Sequence, residues 1–211
     1  MRHDIAIRKE TAIFFVAVAM ILPRFVFAQT KVTQAQDPQT EDIQIEDTKA
    51  EDVEAIFEEQ DLFTMLDDKT KKLYNDSIEA LNRGEKTLAV MYMERALARI
   101  GQDDPRYKVV LKGLVTCYQQ AALYHYNYDD KADAIYYFNK VISAIEKYKD
   151  KFFEEKSDES YAYLGKIYYD KGDKKRANSY LNILRRRNSA AAPYWRDQLV
   201  QYMKTKRPTA K

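Results

Sequence analysis

The chain has 211 residues, of which 45% are hydrophobic, enough for one globular core of about 150 residues plus extensions. Gly and Pro number only five each, well under half the usual share of roughly 12%. That scarcity excludes a β-sandwich or a Rossmann-type fold, which need turn residues and phosphate-loop glycines. The 35 Lys+Arg and 33 Asp+Glu nearly balance, so no global field calls for nucleic acid, and the single Cys, Cys117, excludes an intramolecular disulfide and a Cys-rich zinc site.

Residues 1–28 read as an export signal. Arg2, Arg8 and Lys9 precede the uncharged run Thr11 to Leu22, and Val26-Phe27-Ala28 offers a cleavage point after Ala28. The alternative is an uncleaved inner-membrane anchor, but 12 apolar residues span only about 18 Å of a hydrocarbon core about 30 Å thick. With no cysteine pairs to accompany export, a bacterial envelope is the expected setting, periplasmic or secreted.

Charge is distributed unevenly. Residues 29–68 carry 13 Asp/Glu against Lys31 and Lys49, while residues 171–211 hold 12 Lys/Arg against Asp173 and Asp197. Residues 29–50 have almost no large apolar groups to offset the entropy of ordering, and are expected to form a disordered acidic tether. Residues 51–68 bring Val53, Ile56, Phe57, Leu62, Phe63 and Leu66 at helical spacings, predicting an amphipathic helix.

From residue 69 to 207 a helical pattern repeats. Ala89-x3-Met93-x2-Ala96, Ala134-x3-Phe138-x2-Val141 and Ala177-x3-Leu181-x2-Leu184 each put a small residue and two larger ones on one helix face. Each is preceded by a polar break: Asn82 to Glu85, Asn127 to Asp130, and Asp170 to Asp173. Gly84 and Gly172, and Asn127 or Asp129, suit the left-handed residue that ends a helix. Three helical hairpins are predicted. Trp195 and Tyr202 restart the pattern in a last helix whose first turn accommodates Pro193.

The third unit, Tyr161-x2-Leu164-Gly165-x2-Tyr168-x3-Gly172-x4-Ala177, resembles the tetratricopeptide repeat (TPR). The second unit keeps Tyr118, Ala122, Ala134 and Phe138 but has His125 where the family has a packing Tyr, and the first keeps Leu73, Ser77, Ala80, Gly84, Ala89 and Ala96. The resemblance implies an all-α fold, a TPR-like α-solenoid of three helical hairpins plus a C-terminal capping helix. The spacings depart from the family: 45 residues from Ala89 to Ala134 and 43 from there to Ala177, against about 34. Either the helices or the loops between repeats are therefore longer, with Asp103-Asp104-Pro105 breaking the first junction and residues 147–158 supplying the excess at the second.

In the family, first helices line a concave groove. Carried onto this chain, the resemblance places Tyr74, Ile78, Asn82, Gln119, Leu123, Tyr126, Asn127, Lys166, Tyr169 and Asp170 on that groove. Tyrosine, present 17 times, supplies contact area and a hydrogen-bonding tip with few rotors to freeze. Arg185, Arg186, Arg187, Lys204, Lys206 and Arg207 form a basic end, suited to an anionic membrane surface, an acidic partner, or the acidic arm, residues 37–61, of its own or a neighbouring copy.

Catalytic chemistry is not expected. Cys117 and His125 lie eight residues apart on one predicted helix, about 12 Å along its axis, too far for proton transfer. Asp103-Asp104 and Asp129-Asp130 read as turn and cap residues, His125 as a core histidine and Cys117 as a small buried hydrophobe. Calcium loops, phosphate loops and His-Glu-x2-His patterns are missing, so neither cofactor nor metal is expected. The expected role is an exported, non-catalytic adaptor that captures a protein partner of the cell envelope in a Tyr-lined groove. The alternative is a structural subunit of a secretion, outer-membrane or flagellar-motor assembly that uses its outer surfaces.

Overall fold

A computed structural model describes residues 59–206 apart from 147 and 149. The chain divides into two units, Met1–Ala50 and Glu51–Lys211, and every described residue belongs to the second. The signal at 1–28, the tether at 29–50, the first part of the 51–68 helix and Arg207 lie outside the described residues. Within these, the backbone is helical with no strand: α1 (Asp68–Asn82), α2 (Lys86–Leu97), α3 (Arg106–Asn127), α4 (Lys131–Ile145), α5 (Lys151–Asp170), α6 (Lys174–Arg186) and α7 (Ala192–Thr205). A further helical stretch over 59–64 stops short of Asp67, whose carboxylate accepts from the Lys69 and Thr70 N–H groups and starts α1.

Three turns share one backbone design. Gly84, Asp129 and Gly172 have φ of 82°, 61° and 77°. In each case the next N–H donates back across the turn: Glu85 to the Ala80 carbonyl, Asp130 to that of His125, Asp173 to that of Tyr168, all at 2.9 Å. This is the Schellman closure, which satisfies a carbonyl left over at a helix end. Asp130 and Asp173 then cap the following helix through the N–H of Asp133 and Arg176. The expected turn residues are therefore observed, with Asp129 rather than Asn127 in the left-handed position.

Consecutive helices pack on one another from α1 through α6, and α7 rests on both α5 and α6. The three small-residue stripes do the packing: Ala89, Met93, Ala96, Ala134, Phe138, Val141 and Ala177 are sealed from solvent, as are Leu181 and Leu184 apart from a few per cent. A large core cluster runs from α1 to α5, and a smaller one of Ala162, Leu181, Leu184 and Leu199 holds α7. Gly165 makes that second contact possible, since a Cβ there would lie 2.5 Å from Leu199 Cδ2.

The extra length of the units is helical, the first of the two alternatives the spacing allows. α3 and α5 have 22 and 20 residues against 12, 15 and 13 in α2, α4 and α6. Asp150 caps Phe152, and Phe153, Ser157, Asp158 and Glu159 are buried, so this polar-looking stretch is the first half of α5. Its buried acids have partners: Asp158 pairs with Arg187 and accepts from Ser189, and Glu159 accepts from Gln119 with Lys156 3.9 Å away. Paired charges tolerate burial that lone ones do not.

Candidate functional site

The candidate site is where α3, α5 and α7 meet. Spacings of three and four put Glu159, Tyr163, Lys166 and Asp170 on one stripe of α5, and Gln119, Leu123 and Tyr126 on one stripe of α3. The two stripes touch: Gln119 donates to Glu159, and the Tyr126 ring meets that of Tyr163 edge-on at 5.0 Å. α7 adds Trp195, whose ring is 6.2 Å from that of Tyr163, and Tyr202. The Tyr202 hydroxyl donates to the Asp170 carboxylate at 2.7 and 2.9 Å and accepts from Lys206 Nζ at 2.7 Å.

Lys166 stands inside this frame. Its Nζ lies 4.7 Å from the Tyr163 ring centre and 5.6 Å from that of Tyr202, in cation–π range of both. It makes no salt bridge among the described residues, whereas Lys156 is 3.9 Å from Glu159 and Lys206 is 3.6 Å from Asp170. Burial lowers its pKa, opposed by the charge of Glu159. Burial first, and then the hydrogen bond to Asp170, push the Tyr202 phenol up to about 12. At neutral pH the site thus offers a half-desolvated ammonium, two phenols and aromatic walls.

The residues carried over from the repeat resemblance separate into three groups. Tyr126, Lys166 and Asp170 meet at this junction. Leu123 and Ile78 are half-buried along α3 and α1, and Asn82 and Asn127 are exposed at helix ends. Tyr74, Gln119 and Tyr169 are taken up by packing and leave little surface for a ligand. Tyr74 closes over Gly113, where a Cβ would come within 2.8 Å of its ring, while the Tyr169 hydroxyl donates to the Met203 carbonyl at 2.8 Å. Tyr163, Trp195 and Tyr202 complete the junction. Tyr163 was legible one helical step before Lys166; the position of α7 was not.

Two members of the basic end are held by acids of α5. Arg187 pairs with Asp158 near the start of α5, and Lys206 with Asp170 at its end. Twelve residues of helix separate these acids by about 18 Å. Arg185, Arg186 and Lys204 are exposed. His125 also departs from expectation: its ring stacks on Tyr137 at 5.6 Å as a core residue would, yet Nδ1 faces the exposed Asp130 at 3.2 Å. Cys117 is a buried hydrophobe as expected, its thiol pushed up to about 11 by burial and 3.3 Å from Ser77 Oγ. That thiol has little thiolate to offer as a nucleophile.

No helix among the described residues is long and apolar enough to cross a membrane. Compared with protein-family models, curated proteins and solved structures, the chain finds no match.

Proposed function

We propose that the chain is an exported, non-catalytic adaptor of the bacterial cell envelope, a TPR-like α-solenoid of three hairpins closed by a capping helix. It holds a partner segment against the α3–α5–α7 junction. The observation that carries this reading is Lys166, a half-buried cation without a salt bridge among the described residues, set between the rings of Tyr163 and Tyr202. A few such anchors supply most of the affinity of a captured segment, and Tyr and Trp walls lose little rotamer entropy on binding. The segment it suits is one with an acidic or carbonyl-rich group beside an apolar side chain.

A peptide selected from a random displayed library on the tag-free protein tests this. Lys166→Ala and Tyr126→Ala are expected to weaken the selected peptide at least about tenfold, the range of anchor residues, and Lys140→Ala on α4 to leave it unchanged. Equal binding to all four proteins overturns the reading.

The second reading, a structural subunit using its outer surface, is favoured by one observation. Tyr124, Tyr128 and Tyr136 are 42%, 72% and 53% exposed around the α3–α4 turn. Exposed aromatic clusters mark interaction surfaces. In that case replacing these three tyrosines by serine abolishes assembly while Lys166→Ala does not.

A further inference from the structure

The α3–α4 turn carries a second cluster, which the α5–α6 turn allows to be read by internal comparison. A shift of 43 residues superimposes the two in sequence: His125 on Tyr168, Asp129 on Gly172, Asp130 on Asp173, Asp133 on Arg176 and Tyr137 on Tyr180. The frames match. His125 stacks on Tyr137 at 5.6 Å and 18°, Tyr168 on Tyr180 at 5.7 Å and 18°. Asp130 Oδ1 accepts from the Asp133 N–H as Asp173 Oδ1 does from the Arg176 N–H.

Two members differ together. In the later turn the Arg176 guanidinium covers the Tyr168 ring at 5.1 Å and neutralises Asp173 at 3.3 Å. In the earlier turn the aromatic becomes an imidazole and the cation becomes a carboxylate. Nδ1 of His125 then lies 3.2 Å from Asp130 Oδ2 and 3.8 Å from Asp133 Oδ2, and one ligand atom from each residue falls within 4.8 Å of the other two. Lys131, the basic residue of the turn, is 3.2 Å from Asp129.

We propose that His125 Nδ1, Asp130 Oδ2 and Asp133 Oδ2 bind a first-row divalent transition cation, with zinc as its representative, clamping the end of α3 to the start of α4. One nitrogen and two carboxylate oxygens form a borderline donor set that prefers such ions to calcium or magnesium. Bonds of about 2.0–2.2 Å in a tetrahedron put donors about 3.4 Å apart, a value the two measured separations bracket. The cap bond on Asp130 Oδ1 fixes that carboxylate and leaves Oδ2 outward, and the Tyr137 ring fixes the imidazole plane, as outer-shell groups do for metal ligands. Both carboxylates are exposed, so the fourth position opens to water or to a donor from another protein. The site is independent of the Lys166 junction.

The test uses the tag-free chain with His3→Ala, leaving His125 as the only imidazole. Zinc chloride alone is the probe, followed by calorimetric titration, thermal unfolding and the imidazole NMR signals. The expected result is one zinc per chain, a shift of the His125 ring nitrogen signals showing coordination through Nδ1, and a rise in Tm of about 5–10 °C at a hundredfold excess over Kd. The double variant His125→Tyr with Asp133→Arg rebuilds the pair found in the later turn. It should keep its helical circular dichroism and bind zinc at least about tenfold more weakly, as should Asp133→Asn alone. Zinc binding that survives these changes, equal binding of calcium or magnesium, or no saturable zinc binding overturns the proposal.

Discussion

The nesting of α7 on α5 leads to the prediction with the most detailed structural basis. Gly165→Ala adds a methyl 2.5 Å from Leu199 Cδ2, closer than non-bonded carbons approach, and 3.0 Å from Cδ1, a tight contact. Two effects oppose each other. Replacing glycine by alanine within a helix gains about 1 kcal/mol, and overpacking a filled site costs about 1–3 kcal/mol. Because Leu199 is fully buried in the small cluster that holds α7, it has little room to retreat, and the net loss should reach about 2 kcal/mol. Leu199→Ala alone costs about 2–5 kcal/mol through lost burial and the cavity left behind. In that background the new methyl meets no clash and partly fills the cavity, so Gly165→Ala becomes stabilising. The pair should therefore couple by about 1–3 kcal/mol in a double-mutant cycle, read from urea unfolding followed by circular dichroism. Additivity within about 0.5 kcal/mol would refute the claim that the missing side chain at Gly165 seats α7.

Two further outcomes follow from the turns and caps. Gly172→Ala and Gly84→Ala meet no atom within 4 Å, so their expected loss of about 1 kcal/mol is purely conformational, while Asp129→Gly should gain up to a similar amount; unchanged urea midpoints would contradict this. The hydrogen bond from Thr70, with help from Arg99, lowers Asp67 from its ordinary 3.8 to about 2. A carboxylate with a depressed folded pKa contributes stability above its unfolded value and loses it as pH falls towards 2. Asp67→Asn should therefore flatten the decline in Tm between pH 4 and pH 2 relative to the unaltered chain; parallel profiles would show that the cap is not the acid-sensitive group.

Much of the helical architecture could be read from side-chain type and spacing because the signals are local. Ala89, Ala134 and Ala177 with their partners three and four residues on mark the buried faces, and Gly84, Asp129 and Gly172 mark the turns, since few residues take positive φ cheaply. The stretch before Asp158 is not decided by its sequence, because its polarity suits a loop as well as a helix. Arg187, Ser189 and Gln119 satisfy its buried acids, and none of these is near in sequence. The candidate site was legible only in part for the same reason. Tyr126, Lys166 and Asp170 sit at repeat-derived groove positions, but Tyr202 joins them through the docking of α7, a tertiary event that no local periodicity encodes. Tyr74, Gln119 and Tyr169 share the spacing of their neighbours yet are buried, because partners distant in sequence cover them: Gly113 beside Tyr74, Glu159 on Gln119 and the Met203 carbonyl on Tyr169. The His125 cluster escaped motif reading because its spacing of five and then three residues is set by the turn at Asp129.

The central claim, that a partner segment is held at the α3–α5–α7 junction, is tested most directly by site-specific photo-crosslinking in the native envelope. A benzoyl-phenylalanine at position 126 keeps an aromatic ring against Tyr163, and one at position 136 on α4 reports the outer surface. The account predicts a discrete adduct at 126 that Lys166→Ala abolishes, with its crosslinked peptide the same from one preparation to the next. Adducts confined to position 136, or an adduct at 126 indifferent to Lys166→Ala, would contradict it.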